Sequence, residues 1–262
     1  MTVNQFGQPL RILVVDDDNL SRSMMQLLLA QQGYSVDFAS NGAEALSAIQ
    51  TRKFDLVFMD LLLPDMNGRD VCRQVREWEA GTTHVPIIAL TAYAIPGQPL
   101  ELLKAGMDDY VFKPYNLRQI SRMIHLYAGD ARQNQFSAGG EGQDPDAEGG
   151  ISVLDYDGAL LDLFTDVNDY KTLLEEFVAS LPARLERMKE NFGTGVLKEL
   201  ARECHNLRSI AASLGAMQLS VLVTRLEQLS TEGEPSLIRQ GLGQVEHGME
   251  RLKAESDIYL SS

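Results

Sequence analysis

Three aspartates, a threonine and a lysine carry the chemistry of the first half of this chain. Asp16, Asp60, Thr91 and Lys113 each close an apolar run, namely RILVV, DLVFM, IIAL and DYVF, and Asp17 follows Asp16 directly. Continuous apolar runs of this length are the pattern of parallel strands buried on both faces. Open α/β sheets bind ligands beyond the carboxyl ends of such strands, so all five groups are expected at one rim. Three carboxylates gathered there repel one another unless a cation compensates them. A set of oxygen donors suits Mg²⁺. Thr91 can donate a hydrogen bond to a phosphoryl oxygen, and Lys113 supplies a point charge to another. A carboxylate nucleophile, a metal and a lysine together predict phosphoryl transfer to Asp60, where positioning and charge neutralisation do most of the work.

A second group lies in ARECHNLRSIAASLGA, residues 201–216. On a helix, Leu197, Leu200, Cys204, Leu207, Ala211 and Leu214 form one apolar stripe. His205 falls off that stripe and is expected to be exposed, with Arg202 and Arg208 three residues away and Ser209 four. Its ring nitrogen could carry a phosphoryl group of charge about −1.5 to −2, which the arginines would offset. A lone solvated histidine is otherwise inert, and that is how His84, His125 and His247 read.

The elements that must position these groups are legible in turn. RILVVD is a strand, Asn19 fits an N-cap, Leu20, Met24, Leu27 and Leu28 recur at helical spacing, and Gly33 supplies the stop. Strand and helix alternate from there: 35–39, 43–50, the strand ending at Asp60, 69–78, the strand ending at Thr91, a Pro-rich bend with a shortened helix to Ala105, DYVFKP, and 116–127. Five strands alternating with helices predict an α/β fold, a doubly wound five-stranded parallel sheet covered on both faces, over residues 1–128. Residues 129–150 are rich in Gly, Asp, Gln and Glu, with almost nothing to bury, and read as a flexible linker. Residues 151–262 read as an all-α four-helix bundle, with helices over 170–191, 197–214, 217–229 and 237–252 and a short extra one near 156–164.

Charge and composition exclude several functions. The net charge is −14, divided as −3, −4 and −7 over residues 1–128, 129–150 and 151–262, so no segment has the basic footprint of a nucleic-acid-binding surface. No apolar run reaches the roughly 20 residues needed to span a bilayer, and the N-terminus lacks the pattern of a signal peptide, which predicts a cytoplasmic protein without membrane insertion. Cys72 and Cys204 are far apart in helical segments and read as buried free thiols.

Residues 10–128 resemble a response-regulator receiver domain, through VVDD at 14–17, FMDLLLPDMNG at 58–68, IIALTA at 87–92 and GMDDYVFKP at 106–114. The resemblance implies a flavodoxin-like fold in which Asp60 is phosphorylated. Asp17, Asp60 and the Leu62 carbonyl would hold Mg²⁺, and Asp16 would act through metal-bound water. It further implies that Thr91 and Tyr110 are a switch pair and that the Lys113–Pro114 peptide is cis. Residues 151–257 resemble a histidine phosphotransfer domain, through His205, Leu207, Arg208, Ser209, Gly215 and Ala216, with LDYDGALLDLF at 154–164 matching its opening segment. Arg208 stands where Lys is commoner, and Ser209 where Gly is.

Together these resemblances imply a two-component phosphorelay protein, bacterial and Mg²⁺-dependent. Its partners would be a sensor histidine kinase and a downstream receiver. No Gly-rich phosphate loop is present to support phosphorylation from ATP. Two other readings use the same residues: a receiver switch whose helical domain only docks, and a phosphate sink. A third is a haloacid-dehalogenase-type phosphatase with Asp16 as nucleophile and Lys104, Asp108 and Asp109 as partners, which would leave Asp60 without a role.

Overall fold

The computed structural model describes residues 9–30, 32–81, 83–91, 98–128, 153–154 and 166–261. The apolar runs form strands β1 (Arg11–Val15), β2 (Ser35–Ala39), β3 (Leu56–Asp60), β4 (Ile87–Thr91) and β5 (Asp109–Phe112). All neighbours pair parallel, in the order β2-β1-β3-β4-β5. Side chains alternate between faces with the period of two that a strand imposes. Ile12, Val14, Phe58, Ile88 and Leu90 pack under helices α1 (Asn19–Ala30) and α5 (Leu117–Tyr127). Leu13, Val15, Val57, Met59, Ile87 and Ala89 pack under α2 (Gly42–Thr51), α3 (Gly68–Glu79) and α4 (Gln98–Lys104).

Local chemistry sets the helix ends. Asp18, not Asn19, caps α1: its Oδ1 accepts from the amides of Leu20 at 2.9 Å and Ser21 at 3.2 Å, which makes Asn19 the first helical residue. Gly33 provides the expected stop with φ of 78°. Asn116 and Gln119 form a reciprocal capping box at the start of α5. Pro99 lies in the first turn of the short α4, where its missing amide is tolerated; Pro96, with the rest of 92–97, lies outside the described residues. The Lys113–Pro114 peptide is cis.

The second half is a bundle of α6 (Val167–Gly193), α7 (Leu197–Ser213), α8 (Met217–Glu232) and α9 (Pro235–Leu260). Each successive pair is in contact, and α9 closes back on α6. Gly195, Gly215 and Gly233, with φ of 75°, 77° and 78°, make the left-handed turns between helices. The core holds Tyr170, Leu174, Phe177, Leu207, Ala211, Val223 and Val245. Helix α9 extends beyond the expected Leu252 end, and α6 runs unbroken through Pro182. The proposed linker 129–150 and the extra helix near 156–164 lie outside the described residues.

The two halves meet. Helix α1 packs against α6, and one cluster of buried side chains runs from Leu20 and Met24 on α1 into the bundle. Among the described residues no helix is long and apolar enough to cross a membrane.

Candidate functional site

The register of the sheet assembles the acidic rim. Val15 pairs with Met59, so the residues that follow, Asp16 and Asp60, sit side by side at adjacent strand ends. Lys113, just beyond β5, reaches both: its Nζ lies 2.7 Å from Asp16 Oδ2 and 2.6 Å from Asp60 Oδ2, with all three side chains buried. The second oxygens are held by backbone, Asp16 Oδ1 accepting from the Asp18 amide at 2.9 Å and Asp60 Oδ1 from the Leu62 amide at 3.0 Å. Carboxylate oxygens of Asp16, Asp17 and Asp60 all lie within 4.8 Å of one another. Gly68 makes this geometry sterically accessible, because a Cβ there would stand 2.2 Å from the Asp60 carbonyl oxygen.

The electrostatics differ from one carboxylate to the next. Burial pushes Asp16 up to about 7 against the pull of Lys113, and neighbouring Asp60 adds to the rise. Burial also opposes ionisation of Asp60, but the Lys113 charge and hydrogen bond, the Leu62 amide and nearby His205 outweigh it, so its pKa falls below the ordinary carboxylate value. Asp17 is raised by burial and by Asp60, against the pull of Arg202 and a hydrogen bond from Asn206. Lys113 would be lowered by burial alone, and the two carboxylates hold it well above its usual value. Thr91 is buried at the end of β4. Tyr110 is half-buried against the α2–α3 side of the sheet, its ring edge-on to Phe112 with centroids 5.1 Å apart.

His205 is buried at 6% exposure, contrary to the solvated position expected from its place off the apolar stripe. The stripe itself is as expected, with Leu200, Cys204, Leu207, Ala211 and Leu214 buried in the bundle. A second face of α7, carrying His205, Asn206, Ser209 and Ser213, is buried as well, because the sheet domain covers it. His205 Nδ1 lies 3.1 Å from Glu227 Oε1 on α8 and 3.4 Å from Arg208 Nη2. Arg208 Nη1 in turn meets Glu227 Oε2 at 3.0 Å. Ser209 donates to the His205 carbonyl at 3.2 Å, and with Ile210 and Ser213 it lines a void of about 10 Å³ against Ser21, Met24, Lys113 and Tyr115. Arg202 pairs with Glu199 at 2.8 Å, and its charge acts on Asp17.

Polar contacts between described residues cross the domain boundary. Asn206 Nδ2 donates to Asp17 at 3.2 Å (Oδ1) and 3.3 Å (Oδ2), and Arg184 Nη2 meets Asp18 Oδ2 at 2.6 Å. The residue next to the histidine therefore touches the residue next to Asp16. Sequence reasoning singled out neither Arg184, Asn206 nor Glu227. Arg184 had a signal, a charge within the Leu181, Leu185 and Met188 stripe, since arginine is almost never fully buried unless paired. Glu227, twenty-two residues from His205, had none.

The phosphatase reading fails on placement. Asp108 precedes β5, at the opposite end of the sheet from Asp16, where Arg76 Nη2, the Ile87 amide and His84 Nε2 engage it at 2.8, 2.8 and 2.7 Å. Lys104 pairs with exposed Glu101 at 3.0 Å.

Residues 12–125 match the response regulator receiver domain family, and residues 172–255 match the Hpt domain family. The chain is 34% identical over 248 residues to a sensor histidine kinase, GacS, of Pseudomonas protegens, and 30% identical over 250 residues to the sensor protein GacS of Pseudomonas syringae pv. syringae. These alignments take in 94% and 95% of this chain but 27% of each relative, so the chain spans about a quarter of the curated relatives it matches. Among solved structures, the receiver domain of a sensor histidine kinase from Pseudomonas aeruginosa PAO1, with a magnesium ion coordinated in its active-site cleft, is 33% identical. It aligns with 47% of this chain and 99% of that one at a TM-score of 0.43.

Proposed function

Because this chain belongs to the two-component phosphorelay proteins, joining a receiver domain to an Hpt domain, we propose that Asp60 accepts a phosphoryl group and exchanges it with His205 of the same chain. One observation carries this reading: the histidine-bearing face of α7 is seated on the acidic rim, with Asn206 on Asp17 and with Ser209 and Ser213 facing Lys113 across a small shared space.

The donor set fits Mg²⁺. Asp16, Asp17 and Asp60 offer hard oxygens within 4.8 Å, and three carboxylates against one lysine leave an excess of negative charge. Asp17, Asp60 and the Leu62 carbonyl would hold the ion, with Asp16 acting through its water. When bound, the ion neutralises charge on the transferring group. The chain's own residues do the rest. Lys113 pairs with charge at Asp60, the Thr91 hydroxyl donates to a phosphoryl oxygen, and Tyr110 moves with it as the switch partner. In the transfer the phosphorus–oxygen bond to Asp60 breaks, and its electron pair returns to the carboxylate. The lone pair of His205 Nε2 forms the new phosphorus–nitrogen bond. Glu227 holds the Nδ1 proton, leaving Nε2 as the nucleophile, and Arg208 offsets incoming charge.

A phosphohistidine on a sensor kinase would load Asp60, and His205 would serve a downstream receiver, a role that suits a cytoplasmic setting where ATP feeds such kinases. The test is a time course with Mg²⁺ and a small-molecule phosphodonor, mapping label by mass spectrometry and by acid and base stability. Base-labile label on Asp60 followed by acid-labile label on His205 is expected. Loss of the histidine label in Asp60→Asn completes the result, and a His205 label that survives Asp60→Asn overturns it.

A further inference from the structure

We propose that the buried Arg184–Asp18 ion pair is the latch that matches this Hpt domain to its own receiver, selecting for a carboxylate directly after the metal-binding aspartates. The inference rests on the phosphorelay reading for its purpose, though not for its geometry.

Asp18 divides its carboxylate between two tasks. Oδ1 caps α1 through the Leu20 and Ser21 amides, and this fixes Oδ2 toward the Hpt domain, where Arg184 Nη2 meets it at 2.6 Å. Arg184 is fixed in turn by Ser180, whose Oγ accepts from Nε at 3.2 Å. The side chains are 6% and 7% exposed, so each ion has given up most of its water. Such a pair discriminates more than it stabilises. With both partners present, attraction offsets desolvation, whereas removing one leaves the other uncompensated. A receiver with a neutral residue at this position would strand the guanidinium, and one with a basic residue would repel it. The cleft of about 340 Å³ beside the pair is lined by Glu176, Arg187 and Glu203 from the Hpt side. Arg187 meets Glu203 at 3.0 Å, so the charge next to Arg184 is already matched within its own domain. Asn206 on Asp17 then sets the register of His205 over Asp60.

The experiment uses the full chain with two independent readouts. Small-angle X-ray scattering reports docking without any phosphoryl chemistry, and quenched-flow labelling with a small-molecule phosphodonor and Mg²⁺ reports Asp60-to-His205 transfer. Arg184→Gln, Arg184→Glu and Asp18→Asn are compared; asparagine keeps the cap acceptor and removes the charge. Arg184→Glu is expected to enlarge the radius of gyration and to slow transfer on the order of tenfold to a hundredfold, while Asp60 still takes label. The Asp18→Asn/Arg184→Gln double variant is expected to be no slower than either single variant, as for two residues acting through one contact. In the parent, transfer per chain is expected to be independent of protein concentration. An Arg184→Glu chain as compact and as fast as the parent overturns the latch. If the parent never labels His205, the phosphorelay reading fails, and scattering alone decides the latch. Circular dichroism melts identify any variant that has lost its fold, in which case Arg184→Gln, smaller and neutral, decides.

Discussion

At the scale of single residues, the proposed transfer gives Glu227 a part to play beside His205. Its Oε1 lies 3.1 Å from Nδ1 and in that transfer would hold the imidazole in one tautomer and support charge developing on the ring as Nε2 attacks. Glu227→Ala should therefore slow labelling of His205 about tenfold, as expected for losing a hydrogen bond to a charged group, without changing labelling of Asp60. Glu227→Gln, which keeps an acceptor, should recover most of the rate. The two cysteines make a contrasting prediction. Burial raises Cys72 to about 11 and raises Cys204 as well, so both thiols stay protonated at neutral pH. Iodoacetamide at pH 7.5 should modify neither until the chain is unfolded, and modification of the native chain would show the burial to be transient. The acidic rim was legible because each of its members ends an apolar run. Glu227 was not, because a partner supplied by a neighbouring helix leaves no spacing in the sequence.

At the scale of elements, glycine and capping chemistry hold the site in register. Gly68→Ala would place a methyl group 2.2 Å from the Asp60 carbonyl oxygen, so β3 or α3 must shift. Overpacking of this kind should lower stability by about 1–3 kcal/mol in urea denaturation and slow labelling of Asp60 beyond what that loss explains. Asn116→Ala removes half of the α5 capping box and should destabilise the receiver by about 1 kcal/mol, leaving labelling intact since Asn116 does not touch the rim. The ends of β3 and β4 were read to the residue and those of β1 and β5 to within one or two, because the change from apolar to polar is abrupt where a strand leaves the core. Helix ends were read less closely. In Asp18 and Asn19 two capping residues stand side by side, and only the hydrogen bonds to Leu20 and Ser21 tell which one caps.

At the scale of the whole molecule, periodicity gave the fold of each half but not their union. A helix is expected to hide one stripe, and α7 hides two. The second stripe, His205, Asn206, Ser209 and Ser213, is polar, so hydropathy marked it as solvent-facing although another domain covers it. Because the ionic contact across this boundary is largely dehydrated, salt should screen it little. The radius of gyration should stay constant from about 0.05 to 0.5 M NaCl, and expansion over that range would show that exposed charges hold the halves together.

The void of about 10 Å³ between α7 and Lys113 bears on how long a phosphorylated aspartate survives. A single water needs roughly 10–15 Å³ of such space together with polar partners, so between the seated helix and Lys113 there is room for about one water and no more. In the proposed transfer, the helix that presents the acceptor would also limit the bulk solvent that reaches the acyl phosphate from this side. With His205 replaced by alanine, a seated chain should keep its acyl phosphate longer than one opened by Arg184→Glu, and the ratio of the two lifetimes would measure how far seating protects the signal.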